Sequence, residues 1–179
     1  MILGIDKLHQ LVKDKKLVEG LCERELNNPE GAGFDLRLGE VYEIKGNSFL
    51  GIDERKTPEV KVLASFDENK KQSFVFKPGS YYLMKTVEKV NTPDDILILF
   101  RPRTTIFRSG MTLFTGNASP GYCGELIFGL ANLGPIEVEI ELGARMVHAM
   151  FYQVGGKTNL YRGQWQKGRV TTKKREKQI

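Results

Sequence analysis

The run Arg103-Thr104-Thr105-Ile106-Phe107-Arg108 places two guanidinium groups and two hydroxyls within six residues. Arginine presents five donors in a rigid fork and keeps its charge at any physiological pH, while threonine adds short neutral donors for non-bridging oxygens. Such a grouping suits a phosphate or triphosphate. The plainer alternative makes Arg103 and Arg108 surface or salt-bridged residues at a strand end, and only the wider pattern of the chain tips the balance. A second candidate lies in Phe34-Asp35-Leu36-Arg37-Leu38-Gly39, where polar residues alternate with apolar ones and Asp35 and Arg37 share one side of a strand. Two readings stand for it: a local structural pair, or an Asp35 carboxylate that helps hold a hydrated cation.

The remaining reactive side chains are sparse. Two cysteines, Cys22 and Cys123, and two histidines, His9 and His148, are too few and too scattered for a disulfide scaffold or a structural zinc site. His9 sits in a helical pattern and reads as a surface or packing residue. Near the end, Tyr161-Arg162-Gly163-Gln164-Trp165-Gln166-Lys167-Gly168 sets two aromatic rings and flexible glycines among basic residues. That composition suits a flap closing over a base and phosphates, and equally a Trp165 that anchors the tail.

The elements that must position these groups are mostly strands. Ile5, Leu8, Leu11 and Val12 recur at helical spacing with lysines on the wetter positions, which predicts a short amphipathic helix over 5–15. After the turn-rich Asn27-Asn28-Pro29-Glu30-Gly31, short apolar runs at 41–44, 60–64, 73–76, 81–84, 96–100, 111–114, 126–130, 136–140 and 146–152 are punctuated by glycine, proline and asparagine. A mainly β barrel-like or sandwich domain follows, rather than repeated βαβ units. No glycine-rich dinucleotide fingerprint and no Walker phosphate loop occurs in the sequence.

At 179 residues the chain is long enough for one good core. No apolar run approaches the roughly 18 to 20 residues of a membrane span, and the first residues lack a basic region followed by a secretory apolar segment, so no membrane partner and a soluble, cytoplasmic protein are expected. The net charge of +5 hides an asymmetry, because the stretch from Lys157 to Lys177 holds eight basic residues and one acid. Nucleic acid is thus a conceivable partner of that tail, as is a small polyphosphate, though no recognition helix or series of stacking aromatics accompanies it.

Taken in order, these segments resemble the trimeric dUTPase and dCTP deaminase superfamily, with length and ends closer to the deaminase branch. Gly31-Ala32-Gly33-Phe34-Asp35-Leu36-Arg37-Leu38-Gly39 resembles the family's early strand, and Arg103-Thr104-Thr105-Ile106-Phe107-Arg108-Ser109-Gly110 its phosphate motif. Pro120-Gly121-Tyr122-Cys123-Gly124 resembles the aromatic turn beside the nucleoside, followed by Asn132 and by Gly143-Ala144-Arg145-Met146. The ending around Tyr161 and Gln166 resembles the deaminase closing segment. The resemblance implies a distorted dUTPase-like β-barrel or β-clip with a short N-terminal helix, a nucleotide-binding domain over 1–156 and a basic closing segment over 157–179. It also implies a homotrimer with sites between subunits that take a deoxynucleotide triphosphate. By the same carry-over Arg103, Thr104 and Thr105 bind phosphates, Arg108 sits beside the reacting nucleotide, Tyr122 packs near the deoxyribose, and Tyr161 and Gln166 belong to the closing segment.

The resemblance breaks at both catalytic carboxylates. Where the deaminases carry a glutamate after the aromatic turn this chain has Gly129, and where the dUTPases carry an aspartate three residues before the aromatic it has Ser119. A serine hydroxyl orients water but is a very weak base at neutral pH. Glu125 is the nearest carboxylate in sequence, yet four residues along a strand span about 13 Å, so it replaces position 129 only through local rearrangement. Its plainer reading is a solvated residue at a strand start. Gln164, in turn, stands where the closing segment often has lysine. The expected activity is dCTP deamination, with dUTP hydrolysis or binding without turnover as alternatives. Magnesium accompanying the triphosphate, with Asp35 at its side, is expected, and zinc is not.

Overall fold

Leu8 and Leu11 lie about one turn apart in the expected helix, and a computed structural model, which describes residues 1–178, buries both in helix α1 (Ile5–Lys15). Lys16 ends that helix in the left-handed conformation, where its N–H reaches back to the Val12 carbonyl. A two-residue strand β1 (Val18–Glu19) and a short helix α2 (Glu23–Asn27) follow, neither of them foreseen. The alternating segment at Phe34 and the run that ends at Ile44 prove continuous, forming the twelve-residue strand β2 (Phe34–Lys45).

A small, partly exposed hairpin, β3 (Phe49–Leu50) and β4 (Glu54–Lys56), leads into β5 (Glu59–Ser65), β6 (Ser73–Phe76) and the long β7 (Tyr81–Asn91). Next come β8 (Ile96–Pro102), a helix α3 (Thr104–Arg108), β9 (Met111–Phe114) and β10 (Asn117–Ala118). The last large strands are β11 (Cys123–Asn132), β12 (Val138–Glu141) and β13 (Arg145–Gln153). A mostly irregular segment then ends in β14 (Glu176–Lys177).

Seven strands hydrogen-bond in the order β10-β8-β13-β2-β7-β11-β9, with β1 added to β7 and β5 to β2. Every pairing is antiparallel, and register shifts interrupt β2, β11 and β13. Each shift inserts an unpaired residue that bends and twists its strand. The result is a mainly β, curled half-barrel with a short helix at its N-terminal end. At the β2–β7 crossing a Cβ on Gly39 would stand 2.8 Å from the Thr86 carbonyl carbon, so the approach of the two backbones requires glycine there.

The concave side is filled by Phe34, Leu36 and Leu38 of β2 with Ile98, Met84, Leu130 and Phe151 from its neighbours, all fully buried. Phe34 and Phe151 meet edge to face at 5.8 Å, and His9 stacks on Phe34 at 5.7 Å, which places that histidine in packing as expected. Among the described residues no helix is long and apolar enough to cross a membrane.

Candidate functional site

Asp35 sits on β2 with its side chain 8% exposed, and neither sequence reading of it matches its surroundings. One carboxylate oxygen forms an ion pair with Arg103 Nε at 2.9 Å and accepts from Arg145 Nη1 at 3.1 Å; the other faces His148 Nδ1 at 2.9 Å. Its backbone N–H donates to the buried carboxylate of Glu25 at 2.9 Å, and Glu25 is itself paired with Arg24 at 2.5 Å. Burial alone would raise the Asp35 pKa, but the hydrogen bond from His148 and the charges of Arg103, His148 and Arg145 outweigh it and hold the carboxyl below its ordinary value. The same bond raises the His148 pKa against the opposing effect of burial. A carboxylate already shared by two guanidinium groups and an imidazole does not suit a divalent cation, which would be repelled by the same charges. Among the described residues no cluster of histidine, cysteine and carboxylate groups could hold a metal.

Arg37 points elsewhere. Its Nε and backbone N–H both donate to Glu88, at 2.6 and 2.8 Å, its Nη2 donates to the Gly20 carbonyl, and its guanidinium lies 5.5 Å from the Phe66 ring centre. Glu88 is wholly buried, and burial pushes its pKa up against the pull of Arg37. This ion pair ties β2 to β7 and leaves Asp35 to its other partners.

The basic and hydroxyl-rich run folds into α3. Arg103 caps the helix from an extended backbone, with its Nε engaged by Asp35, while Thr104 and Thr105 occupy the exposed first turn. Arg108 ends the helix, exposed and without an ion-pair partner among the described residues. The four polar residues therefore do lie on one short element, anchored through Asp35 to β2 and β13.

The aromatic turn builds a different environment. Ser119-Pro120-Gly121-Tyr122 closes with Tyr122 N–H donating to the Ser119 carbonyl at 3.0 Å, and Gly121 takes φ 81°. Proline second and glycine third are the residues a type II turn demands. The turn drops the Tyr122 ring into the wall of a cavity of about 730 Å³, together with Ser119, Tyr81, Phe128, Tyr161 and Trp165. Tyr122 donates to the Glu125 carbonyl at 2.5 Å, and burial pushes its phenol up to about 12. Ser119 accepts from Asn117 Nδ2 at 3.0 Å. None of Asp35, Arg103, Thr104, Thr105, Arg108 and Glu125 lines this cavity.

Glu125 faces its cross-strand neighbour Lys89 at 3.6 Å, and its other side packs against Gly168. Glu125 is thus at a strand start, as its plainer reading has it, but paired and packed rather than solvated, with its side chain 23% exposed. Position 129 is closed by packing: a Cβ on Gly129 would collide with the Tyr81 hydroxyl and lie 3.0 Å from Tyr81 Cζ and 3.2 Å from Phe114 Cβ. Among the described residues no carboxylate or histidine lines the cavity.

The closing segment lies back over its own protomer. Tyr161 meets Tyr122 edge to face at 5.4 Å, and Gln166 donates to the Gly121 carbonyl and accepts from the Cys123 N–H, each at 2.8 Å. Trp165 stands between Arg55 at 4.8 Å and Arg169 at 5.9 Å, and Gln164 bonds Arg55. Trp165 is thus both an anchor and part of the cavity wall. Much of the basic tail is committed locally: Arg169 pairs with Glu176, Arg175 packs on Phe49 at 4.0 Å, and β14 pairs with β4.

Sequence reasoning missed Tyr81, Arg145, His148 and Glu25. Gly129 inside an apolar strand was the usable signal for Tyr81, since an interior strand glycine often marks a close approach. The side-chain partners of Asp35 left no local signal, being 68 to 113 residues away in the chain, and Glu25, ten residues before Asp35, lies beyond the turn-rich connection that separates it from the strand.

Comparison with known proteins adds a family. A family model described as dCTP deaminase-like matches residues 2–154. The chain is 32% identical to the probable deoxyuridine 5'-triphosphate nucleotidohydrolase of Methanothermobacter thermautotrophicus, over 93% of this chain and 99% of that one. It is 29% identical to the dCTP deaminase of Pyrococcus furiosus, over 93% and 95%. Against the dUMP-forming dCTP deaminase of Dictyoglomus turgidum it is 24% identical, over 86% and 81%. Among solved structures, the 2'-deoxycytidine 5'-triphosphate deaminase from Agrobacterium tumefaciens shares the fold, with a TM-score of 0.65 and 18% identity over 86% of this chain and 46% of that one.

Proposed function

The chain belongs to the dCTP deaminase-like family, and from that premise we propose that it is an enzyme of deoxynucleotide triphosphate metabolism that converts dCTP and water to dUTP and ammonia. The observation that carries this reading is the seat beneath the closing segment, where Gln166 clamps the Tyr122 turn through two hydrogen bonds and Tyr161 packs on Tyr122. A planar base and its sugar fit walls of this kind, and Tyr122 takes the deoxyribose.

Arg103, Thr104 and Thr105 take the phosphates, and Arg108 stands beside the reacting nucleotide. Asp35 orients the Arg103 guanidinium through Nε and leaves its two Nη groups for a bidentate phosphate contact. These residues and the cavity do not meet within one protomer, which supports a homotrimer whose sites are completed between subunits. Phe107 and Phe114, each about half exposed, are apolar groups that such contacts would cover.

In the reaction, water adds to C4 of the pyrimidine, the C4–N4 bond breaks and ammonia leaves. Ser119 orients the water; because its hydroxyl is too weak a base to take the proton, a carboxylate must be supplied across the protomer boundary, or by Glu125 after it leaves Lys89. Hydrolysis of dUTP to dUMP and diphosphate is the second reading, favoured by the 32% identity to a probable deoxyuridine triphosphate hydrolase. Magnesium in that case travels on the triphosphate oxygens, since Asp35 does not suit it. A reaction on free nucleotides fits a cytoplasmic protein.

The purified chain incubated with dCTP, dUTP, CTP and UTP, with and without magnesium, distinguishes these readings by chromatography with mass detection. Ammonia and dUTP from dCTP establish deamination, and magnesium-dependent dUMP from dUTP establishes hydrolysis. Saturable binding without either product makes the chain a sequestering or regulatory protein. Arg103→Ala is expected to weaken triphosphate binding by roughly tenfold or more, the scale of a lost charged hydrogen bond; unchanged binding removes α3 from the site.

A further inference from the structure

Three tyrosines line the cavity, and their hydroxyls are not equivalent. That of Tyr122 donates to the Glu125 carbonyl, and that of Tyr161 accepts from the Trp165 N–H at 3.2 Å. The hydroxyl of Tyr81 makes no hydrogen bond to any described residue. It is carried by a ring that rests against Phe114 at a centroid distance of 5.9 Å and lies over Gly129. The absence of a side chain at 129 is what makes room for it.

Part of the remaining polar lining is committed elsewhere. Thr57 is bonded to Thr171 and Thr172, and Arg169 is neutralised by Glu176 and bonded to the Thr171 carbonyl. Leu83, Ile127 and Phe128 supply apolar walls. A cavity of this kind accepts an uncharged planar ring in preference to a phosphate chain. The Ser119 and Tyr161 hydroxyls already accept a hydrogen bond, and the Trp165 indole lies between two guanidinium groups. The Tyr81 phenol, by contrast, is the lining hydroxyl that makes no hydrogen bond among the described residues; it is protonated at neutral pH at its ordinary pKa, which burial raises further.

We infer that Tyr81 is the base-reading residue of the cavity, its hydroxyl donating to a carbonyl oxygen on the edge of a pyrimidine held against Leu83, Ile127 and Phe128. Tyr81 thereby occupies with a neutral donor the space that a side chain at position 129 would take, so Gly129 and Tyr81 act as one unit. This rests on the reading that the ligand is a pyrimidine deoxynucleotide. It adds which group in the chain recognises the base and predicts that phosphate affinity is independent of it.

Binding of dCTP, dUTP and inorganic tripolyphosphate to the full chain and to Tyr81→Phe, followed by calorimetry, provides the test. Loss of one hydrogen bond to the base is expected to weaken both nucleotides by up to about tenfold and leave tripolyphosphate unchanged. Gly129→Ala, which displaces the Tyr81 hydroxyl without removing it, is expected to weaken the nucleotides in the same direction. Nucleotide affinities in Tyr81→Phe equal to those of the unaltered chain overturn the inference alone. Equal weakening of nucleotide and tripolyphosphate also overturns it, since that pattern marks a general structural effect. An unaltered chain that binds tripolyphosphate and no nucleotide, or neither, overturns both this inference and the proposed function.

Discussion

The charged cluster around Asp35 and the cavity beneath the closing segment treat their polar groups in opposite ways. In the cluster, Asp35, Arg103, Arg145, His148 and Glu25 satisfy one another, and the conspicuous carboxylate is consumed in holding an arginine. In the cavity the walls are mostly apolar, and Tyr81 keeps a hydroxyl unpaired. The Asp35 carboxylate, which looks reactive in sequence, here serves as a support, while Tyr81, which looks like ordinary strand packing, keeps an unpaired hydroxyl on the cavity wall. Exposure explains the difference: ionic groups removed from water must be paired, whereas Tyr81 is 43% exposed and its hydroxyl can hydrogen-bond to water until a ligand arrives.

The sharpest way to break this contrast is to empty the cluster. Asp35→Ala leaves Arg103, Arg145 and His148 facing one another without a counter-charge, and is expected to cost about 3 to 5 kcal/mol of stability, the range for a buried pair that loses one partner. Thermal or urea unfolding measures it, and a loss under about 1 kcal/mol, typical of exposed pairs, would mean that the cluster is a surface arrangement. A smaller effect probes the cavity side. Gly129→Ala forces the half-exposed Tyr81 ring to move, with an expected cost of about 1 kcal/mol, the low end for overpacking. The same substitution in a Tyr81→Ala background should be much milder, and simple additivity of the two would show that the residues do not share that space.

The smallest expected effect is the pH dependence of the cluster. Asp35 has a lowered pKa, so its contribution is present above the ordinary carboxylate value of about 3.9 and is lost as pH falls through the lowered value. His148 has a raised pKa, so its contribution is complete below the ordinary imidazole value of about 6.5 and is lost as pH rises through the raised value. Stability from this pair should therefore be greatest between those two ordinary values. Urea midpoints measured across pH, with His148→Gln as comparison, should show the alkaline decline flatten in the variant. An unchanged decline would assign it to other groups.

Much of the fold was legible because apolar residues carry their own period. Leu8 and Leu11 marked a helix, and the alternation from Phe34 marked a strand, since side chains in those two geometries repeat every 3.6 and every 2 residues. The helix over Thr104–Arg108 was not legible: five residues that include two threonines have weak intrinsic preference, and packing of Ile106 into the core decides their conformation. The strand Glu176–Lys177 was equally hidden, because its partner β4 lies more than a hundred residues earlier.

At the site, residue types offered Arg103, Thr104, Thr105 and Arg108 as a candidate phosphate-binding group beside a plain surface reading, and the family resemblance supplied the turn at Pro120 and Gly121 that presents Tyr122. The chemistry of a guanidinium or the backbone preference of a Pro-Gly pair belongs to the residue and needs no neighbour. Partnership does not: that Asp35 meets Arg103 and His148 in place of Arg37, that Glu125 turns to Lys89, and that Tyr81 fills the space above Gly129 all follow from strand order and register. Those are set by the burial of a whole sheet at once, a long-range property that no local stretch of sequence carries.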